Sequence, residues 1–420
     1  MNDRQKRIGV WLIGAKGGLG TTVIAGAALC RRDPHLQTGL LTETDLVSGL
    51  DLLPLESLVF GGHDIRSGTL YDSLVAIDRD NGTFPHERRE LIRDELRAVD
   101  DNLRSGSTYG SGKAIEGLAT GRKPRLPKFA LEWVERFQND INEFRVRHQL
   151  DDVVVVNVAS TEPPLVPDPS LRSERALKAL LKEPLKSTKG RLRSSILYGY
   201  AAADLGLPMI NFTPNQGFLV RGIRMLASRR GAPYMGNDGK TGETLVKSAL
   251  APMFRYRNLK VLSWMGYNLL GDQDGQVLSN PANRETKLKT KDGLLQHILG
   301  YQPHTKVSID YVPSLKDLKT AWDFIHFEGF LNFRMTLQFT WAGCDAILAA
   351  PLILDMIRFA EHAKRHGEAG LMTYLSCFFK APVGVDEHDL HFQFHHLLDY
   401  VEARRTGSPW PEGGVAEECP

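Results

Sequence analysis

The chain has few cysteines, almost no excess charge and no long apolar run. Its 420 residues include only Cys30, Cys344, Cys377 and Cys419, which lack the spacing of a metal site. The 52 basic and 50 acidic residues leave a formal charge of +2, so no overall field attracts nucleic acid or a membrane. No stretch reaches the ~18 apolar residues of a membrane span, and no signal-like apolar core follows the N-terminus. We therefore expect a cytoplasmic protein with reduced thiols and no nucleic-acid or membrane partner.

Apolar residues make up 42% of the chain, whose length exceeds the usual size of one domain. The run from Ile8 to Ile13, closed by Gly14, predicts a buried parallel strand. The Ala-rich segment from Val23 to Cys30 predicts a helix, and the segment from Thr38 to Thr42 predicts a second strand ending at Glu43. Such a β-loop-α-β unit opens most doubly wound nucleotide-binding folds.

Later segments predict a central strand and then a second sheet. Four valines from Val153 to Val156 end at Asn157, which predicts a buried strand with polar groups at its carboxyl end. The segments 261–267, 306–312 and 333–341 are also strand-like, and apolar residues alternate strictly in the last one. This pattern predicts an antiparallel or mixed sheet that packs on one face and is polar on the other. A long helix is predicted from Ala346 to Ala363.

The first predicted strand is followed by a glycine-rich loop of sequence GAKGGLGTT, which begins at Gly14. Glycines let backbone amides approach a pyrophosphate, and a following helix N-terminus favours anions. The loop resembles the variant P-loop of partition-type ATPases, but that site needs a lysine where Thr21 stands. A dinucleotide site is the alternative, although Gly14, Gly17 and Gly20 do not form the standard G-x-G-x-x-G. In that case Glu43, about twenty residues further on, would bind a ribose hydroxyl.

A series of short polar segments extends along nearly the whole chain. In order they are FGGHDIR from Phe60, NVASTEP from Asn157, NFTP from Asn211, GNDGKTGET from Gly236, YNLLGDQDG from Tyr267, the pair Lys287 and Lys291, KTAWDF from Lys319, Asp345 followed by APL from Ala350, and FKAP from Phe379. This ordered set resembles the inositol-3-phosphate synthase family, and especially its archaeal-type branch.

The resemblance implies an α/β fold with a modified Rossmann NAD-binding domain built from both chain ends. Residues 1–240 would form the NAD-binding domain, 241–345 an inserted catalytic and oligomerisation domain, and 346–420 the C-terminal helices that return to the first domain. A homotetramer is implied as well. The residues expected to contact NAD are Gly14, Gly17, Gly20, Thr21, Glu43, Asp64, Asn157, Ala159, Thr161, Thr213, Asp238, Thr241 and Asp345.

The implied reaction converts D-glucose 6-phosphate to 1D-myo-inositol 3-phosphate without net oxidation. NAD takes a hydride from C5, proton loss at C6 gives an enolate, and the enolate attacks the C1 aldehyde before NADH returns the hydride. A phosphate, an enolate and an alkoxide all carry negative charge in this sequence. Fixed cations aimed at developing oxyanions would therefore help, each well-placed donor being worth ~3–4 kcal/mol.

Four lysines align with active-site lysines of the family: Lys287, Lys291, Lys319 and Lys380. We assign Lys319 to the C5 oxygen, as proton acceptor and then donor, and Lys380 to the same oxygen or to the C1 aldehyde. Lys287 and Lys291 are four residues apart, so a helix would place both on one face to hold the phosphate and the enolate.

Asn268 and Asp274 follow a predicted strand end, where they could hold sugar hydroxyls. Compared with most eukaryotic members, this chain has Glu243 in place of Gln and an added carboxylate at Asp272. Added carboxylates beside a phosphate suit a bridging Mg²⁺, Mn²⁺ or Zn²⁺, and the archaeal-type branch is described as using a divalent cation. A divalent cation is therefore a hypothesis, with its ligands unassigned.

Two other functions fit parts of the sequence. A related NAD enzyme could act on another sugar phosphate, or carry out a net dehydrogenation that accumulates NADH. A partition-type ATPase would instead hydrolyse ATP at the glycine-rich loop, for which the lysine is missing at Thr21.

The C-terminal part is rich in histidine, with His388, His391, His395 and His396. Three of them could share a helical face and suggest a metal site. Because this part lies beyond the family-like segments, the sequence favours a partly exposed amphipathic helix instead.

Overall fold

The computed structural model describes residues 6–121, 124–271, 275, 294–408 and 410. Within these residues the strands are β1 (Ile8–Ile13), β2 (Leu58–Asp64), β3 (Leu103–Ser105), β4 (Asp152–Asn157), β5 (Met209–Asn211), β6 (Pro233–Gly236), β7 (Lys260–Leu270), β8 (His304–Tyr311), β9 (Lys319–Glu328), β10 (Arg334–Gly343) and β11 (Gly370–Leu371). They form one sheet of seven strands and one of four, and the predicted α/β class is confirmed.

Helices cover both sheets. They are α1 (Gly18–Cys30), α2 (Leu70–Asn81), α3 (His86–Leu91), α4 (Arg93–Asp100), α5 (Lys113–Leu118), α6 (Ala130–Arg147), α7 (Glu174–Leu181), α8 (Ser194–Asp204), α9 (Arg221–Arg229), α10 (Gly242–Tyr256), α11 (Asp345–Arg365) and α12 (Leu390–Thr406), and residues 294–299 are helical too. Local chemistry sets some boundaries, as where Thr69 and Asp72 form a capping box at the start of α2. Within the described part of the chain, no helix has the length and apolar character needed to cross a membrane.

The seven-stranded sheet has the order β11-β6-β5-β4-β1-β2-β3, and every neighbouring pair is parallel. All six residues of β1 and the valines from Val153 to Val156 of β4 are buried, as expected for a parallel sheet covered on both faces. The chain passes from β1 to β2 on one side and later adds β4 on the other. The order therefore reverses between β1 and β4, where the carboxyl ends of the strands form a crevice suited to ligands.

The predicted second strand from Thr38 to Thr42 is wrong. The chain forms a short 3-10 turn there (Leu41–Glu43), and the strand that pairs with β1 is β2. The carboxylate of Asp355, in α11, accepts hydrogen bonds from the backbone amides of Leu41 at 2.9 Å and Thr42 at 3.0 Å. A side chain more than 300 positions away satisfies these amides, so the local sequence pattern does not reveal the outcome.

The four-stranded sheet has the order β10-β9-β7-β8 and is mixed, as predicted. Strand β9 is antiparallel to both β10 and β7, whereas β8 is parallel to β7. The sequence prediction missed β9, which contains the family-like segment that begins at Lys319. Its register places Lys319 opposite Leu270 and Ala321 opposite Asn268 of β7.

One face of this sheet packs against α10 and the helical residues 294–299. Trp264, Ile325 and Phe254 belong to this apolar cluster, and Met335, Leu337 and Phe339 of β10 pack against it, as the alternating pattern predicted. The opposite face of β10 is polar, but neighbouring strands add aromatic residues to that face. The residues concerned are Tyr267 and Trp322, whose rings stack with centroids 5.4 Å apart.

Helix α11 carries the chain back to the first sheet. It packs against α1, and its residues Asp355 and Arg358 hold the segment 41–43. Strand β11 then extends the parallel sheet beside β6. Both ends of the described chain therefore contribute to the seven-stranded unit.

Candidate active site

The carboxyl ends of β4 and β1 meet at the point where the strand order reverses. Gly14 follows β1 there with a φ of +94°, and its amide donates to the carbonyl of His63 at 2.9 Å. A Cβ on Gly14 would lie 3.0 Å from the Cα of Ala159, just past the end of β4. Only glycine suits both the positive φ and this close approach.

The glycine-rich loop wraps tightly before α1. The amide of Gly17 donates to the carbonyl of Gly14 at 3.1 Å, and a Cβ on Gly20 would collide with that same carbonyl oxygen at 2.6 Å. Thr21 is fully buried, and its hydroxyl has no hydrogen-bond partner among the described residues. The helix N-terminus therefore faces the crevice with close backbone packing, which is the arrangement that binds phosphate groups.

Asp64 occupies the carboxyl end of β2, next to this loop. Its side chain accepts hydrogen bonds from the backbone amides of Lys16 at 2.7 Å and of Arg66 at 2.8 Å. The guanidinium of Arg66 lies 3.3 Å from the same carboxylate. This is the strand-end acidic position that binds ribose hydroxyls in dinucleotide-binding folds.

Glu43 does not lie at a strand end, because its predicted strand is absent. Its carboxylate instead contacts the guanidinium of Arg358 in α11. The contact joins the two ends of the chain. The acidic residue at the end of the strand that pairs with β1 is Asp64.

A network of side-chain amides and hydroxyls lies beyond β4 and β5. The amide nitrogen of Asn157 donates to Asn211 at 2.9 Å and to Thr213 at 3.2 Å, and its oxygen accepts from the backbone of Ala159 at 3.2 Å. Thr161 follows in the same loop and is also buried. The predicted contacts Asn157, Ala159 and Thr213 therefore come together as a network without a formal charge.

The turn after β6 carries the next predicted residues. Asp238 has a φ of +60° and is buried, and its amide donates to the carbonyl of Thr213 at 3.0 Å. The ammonium of Lys380 lies 3.2 Å from the Asp238 carboxylate. Two residues predicted from distant segments are thus paired.

Lys319 and Asp345 form a second pair beside the same turn. The Lys319 ammonium lies 3.0 Å from the Asp345 carboxylate, and both side chains remain partly exposed. A Cβ on Gly242 would lie 3.7 Å from that ammonium and 3.5 Å from that carboxylate. Since Thr241 immediately precedes Gly242, the turn from Asp238 to Gly242 reaches both lysine–carboxylate pairs.

Asn268 is buried on β7 and contacts the carboxylate of Glu243 at the start of α10. Glu243 also contacts the ammonium of Lys247, which lies 3.5 Å from the carboxylate of Asp323. A Cβ on Gly266 would lie 2.3 Å from Glu243, so the absent side chain makes room for these charges. We call Glu243, Lys247, Asn268 and Asp323 the charged network.

The sequence missed Lys247 and Asp323 in this network. Burial raises the pKa of Asp323 to about 6, against the Lys247 ammonium, which lowers it, and with a smaller upward contribution from the Glu243 carboxylate. The spacing of Glu243 and Lys247, four residues apart on a helix, was the available signal. Such pairs are usually solvated, so that spacing alone does not distinguish a buried pair from a surface one.

Lys240 lies in the same turn, within the segment GNDGKTGET. Its side chain is buried and contacts the side-chain oxygen of Gln393 in α12. Burial lowers the pKa of Lys240 to about 8. The turn is therefore joined to the C-terminal helix by the contact between Lys240 and Gln393.

A cavity of about 950 Å³ opens beside the carboxyl end of β2. Its lining includes Lys16, Asp64 and Arg66 on one side and Tyr109 and Trp133 on the other. Aromatic and apolar walls with a few polar groups at one end suit a planar ring attached to a ribose.

Lys287, Lys291 and Asp274 lie outside the described residues. The other predicted site residues, apart from Glu43, lie along one continuous edge of the molecule. That edge runs from the cavity, past the glycine-rich loop and the amide network, to the turn from Asp238 to Gly242.

The match to known proteins agrees with this arrangement. An NAD-binding family model described as myo-inositol-1-phosphate synthase matches residues 8–402. The chain belongs to this family. Its membership selects the dinucleotide interpretation of the glycine-rich loop over the ATPase one.

Individual members of the myo-inositol-1-phosphate synthase family are similar over most of this chain. Inositol-3-phosphate synthase 1 of Bacteroides thetaiotaomicron is 31% identical, over 93% of this chain and 92% of its own length. The Rattus norvegicus protein of the same name is 29% identical, over 90% of this chain and 74% of its own. A solved inositol-3-phosphate synthase from Caenorhabditis elegans has a TM-score of 0.84 at 24% identity, covering 97% of this chain and 88% of its own, which shows a shared fold.

The geometry fits the NAD cofactor that characterises the myo-inositol-1-phosphate synthase family. Gly14 and Gly20 allow the backbone to pack closely before the N-terminus of α1, an arrangement suited to a pyrophosphate, and Asp64 is fixed beside it at the end of β2. When bound, NAD supplies a hydride acceptor that becomes a hydride donor.

Proposed function

We propose that this chain converts D-glucose 6-phosphate to 1D-myo-inositol 3-phosphate by an internal cycle of oxidation, ring closure and reduction. One observation carries the proposal. Two lysines, Lys319 and Lys380, each paired with a carboxylate, lie beside a single turn at the carboxyl edge of the NAD-binding sheet. A net dehydrogenase needs one acid–base group, whereas this cycle needs cations at several successive oxyanions.

We assign the adenosine half of NAD to the cavity beside Asp64 and the pyrophosphate to Gly14, Gly17 and Gly20. Thr21, whose buried hydroxyl lacks a partner among the described residues, supports the loop from inside α1. The remaining contacts lie towards the nicotinamide and consist of Asn157, Ala159, Thr161, Thr213, Asp238, Thr241 and Asp345. We place Asp64, and not Glu43, on the ribose.

Lys319 would take the proton from the C5 hydroxyl as the hydride leaves, and return it after ring closure. Its partner Asp345 lies 3.0 Å away and would hold the ammonium in place between these steps. Lys380, held by Asp238, would stabilise the same oxygen or the C1 aldehyde. Asn268 would hold a sugar hydroxyl, and Asp274, Lys287 and Lys291, outside the described residues, would bind the sugar and its phosphate.

The test is to incubate the purified protein with glucose 6-phosphate and NAD and to identify the product by NMR. We expect an inositol monophosphate and no accumulation of NADH absorbance. Steady accumulation of NADH would indicate a net dehydrogenase instead. Turnover of a different sugar phosphate in preference to glucose 6-phosphate would reject the proposed substrate.

The carboxylates that motivate the divalent cation are Glu243 and Asp272, and Asp272 lies outside the described residues. Among the residues described, the one group of three or more metal-type ligands contains neither of them. The cation therefore stays a hypothesis with unassigned ligands.

We also propose that the chain assembles as a homotetramer through the four-stranded sheet. The face that carries Tyr267 and Trp322 has no covering element among the described residues, and Phe330 and Phe333 at the β9–β10 turn are 87% and 69% exposed. An apolar surface of this kind on a sheet with a free edge strand favours association. Light scattering should show a tetramer that Trp322→Glu dissociates and that Val146→Glu, at an exposed position of α6, leaves intact.

We retain the domain bounds 1–240, 241–345 and 346–420 as a proposal. The two sheets support it, because strands β7 to β10 all lie between 260 and 343. A cytoplasmic location is likewise proposed. It is supported by Cys30, Cys344 and Cys377, which are free thiols in the structure.

A further inference from the structure

Three metal-type ligands meet at the C-terminal end of α11. His362 and His366 are one helical turn apart, and Asp51 approaches them from the segment before β2. The Nε2 atoms of both imidazoles lie 3.1 Å from the same carboxylate oxygen, Oδ1 of Asp51. We call these three residues the Asp51 cluster.

The hydrogen bonds around His362 leave a lone pair directed at Asp51. The Tyr400 hydroxyl donates its one proton to the carboxylate of Glu368 at 2.9 Å. It must therefore accept from Nδ1 of His362, which lies 3.1 Å away. A neutral His362 protonated on Nδ1 has an unprotonated Nε2, so two acceptor atoms face each other at 3.1 Å.

The second imidazole, His366, approaches the same oxygen. Its Nε2 lies 3.1 Å from Oδ1 of Asp51 and 3.4 Å from Nη1 of Arg365, which can only donate. In the tautomer that accepts from Arg365, both imidazoles and the carboxylate direct lone pairs towards one region, where a cation can bind all three.

The His362 side chain is only 2% exposed, so its Nε2 faces Asp51 away from solvent. A metal ion can bind both imidazoles in their neutral form.

We propose that the Asp51 cluster binds one Zn²⁺ ion through His362 Nε2, His366 Nε2 and Asp51 Oδ1. All ligand atoms lie within 4.8 Å of one another, close enough for one ion after small adjustments. Two histidines separated by four residues on a helix, together with a carboxylate, form a ligand set that Zn²⁺ accepts. Asp51 and His366 are 61% and 41% exposed, so water can complete the tetrahedron.

The surrounding groups support a metal site. His362 is oriented through Tyr400 by the Glu368 carboxylate, the kind of outer partner that fixes ligating histidines. Arg365 holds Oδ2 of Asp51, which leaves Oδ1 available as a single ligand.

The charges near the cluster allow a cation to bind. Arg365 is paired with Glu361 at 2.8 Å, and Arg404 is paired with Glu368 at 2.9 Å. The negative charge of Asp51 is therefore additional to these two neutral pairs. A Zn²⁺ ion bound at the cluster would meet no uncompensated positive charge.

The ion would be structural. His362 lies 17 positions after Asp345 in the same helix, which corresponds to about 26 Å along its axis. Bound Zn²⁺ would tie the segment before β2 to α11 and, through Tyr400, to α12. The site does not depend on the proposed sugar chemistry.

The experiment measures Zn²⁺ binding by untagged protein in excess Mg²⁺, using a competing chromophoric chelator, with a parallel thermal melt. We expect one Zn²⁺ to bind, and Tm to rise by about 3 °C when free Zn²⁺ is 100 times Kd. His366→Ala and Asp51→Asn should each weaken binding at least tenfold. Tyr400→Phe should weaken it by about tenfold.

His395→Ala is the matched control, because it removes an exposed histidine of α12 outside the cluster. It should bind Zn²⁺ as the wild type does. Absence of saturable binding, or equal affinity in His366→Ala and the wild type, would overturn the proposal. Replacing Zn²⁺ by Co²⁺ gives a second measurement, since a tetrahedral site produces visible absorbance that His366→Ala should abolish.

Discussion

The two halves of the candidate active site are held together in different ways. On the NAD side, Asn157, Asn211 and Thr213 are joined by hydrogen bonds between uncharged groups at the ends of buried strands. On the second-sheet side, buried or half-buried ion pairs hold the key groups, including Lys319 with Asp345 and Lys247 with Glu243. Under the proposed assignments, the neutral amide network lies beside the cofactor and the ion pairs lie beside the reacting oxygens.

This division has an energetic basis. Neutral hydrogen bonds contribute about 1 kcal/mol each and tolerate substitution moderately. A buried ion pair is costly to assemble, and removing one partner leaves the other charge without compensation. We therefore expect the second-sheet side to be the more sensitive half, both in activity and in stability.

The largest effect is expected for Lys319→Ala. This change removes the ammonium that would exchange a proton with the C5 oxygen, so kcat should fall by about 10²–10³-fold. NAD affinity should stay near the wild-type value, because the cofactor contacts lie on the other half. Product formation measured by NMR and NAD titration by calorimetry provide the two readings.

Lys306→Ala is the control for this change, since it removes an exposed lysine from β8 of the same sheet. It should retain nearly full turnover. If Lys319→Ala retained a wild-type rate, the assignment of the acid–base lysine would be wrong.

The next effect concerns stability. Lys247→Met would leave the buried Glu243 and Asp323 without their cation, at a cost of about 3–5 kcal/mol in the free energy of unfolding. Urea denaturation measures this cost. The double variant Lys247→Met with Glu243→Gln should recover part of it, because the amide removes one stranded charge. Equal stability of the two variants would show that charge burial is not the source of the loss.

Much of the fold was predictable from local patterns. The continuous apolar runs of β1 and β4 indicate buried strands, and the alternation in β10 indicates a strand with one buried face. The conformation of the segment from 38 to 42 could not be predicted in this way. It depends on hydrogen bonds that the backbone amides of Leu41 and Thr42 donate to the carboxylate of Asp355. For the same reason, Glu43 does not lie at a strand end.

The candidate site was predictable where short segments resemble a family. Asp238 and Lys380 were chosen from separate segments and lie 3.2 Å apart. The charged network was not predictable as a unit, because the burial of Lys247 depends on the missing side chain of Gly266. The Asp51 cluster was not predictable from the sequence, because it draws on positions 51, 362 and 366, which are distant in sequence from one another or lie outside the histidine-rich C-terminal part.

A moderate effect is expected on the NAD side for Gly20→Ala. The added methyl would lie 2.6 Å from the carbonyl oxygen of Gly14 and 2.7 Å from that of Ala15, so the loop must shift. We expect a loss of about 1–3 kcal/mol in NAD binding, measured by calorimetry. Unchanged NAD affinity would contradict the assignment of the pyrophosphate to this loop.

The smallest effect should be a gain, for Gly26→Ala in the same helix. No atom lies within 4 Å of a Cβ at this position, apart from the helix's own neighbouring backbone. Alanine lowers the entropy of the unfolded chain without a clash, so unfolding should cost about 0.5–1 kcal/mol more. NAD affinity should not change, because Gly26 lies more than a turn beyond the helix N-terminus. Comparing the two glycine variants of α1 shows whether NAD binding depends on the geometry of the loop or on the rigidity of the helix. A loss of NAD affinity in Gly26→Ala would show that helix rigidity, and not loop geometry, controls the cofactor site.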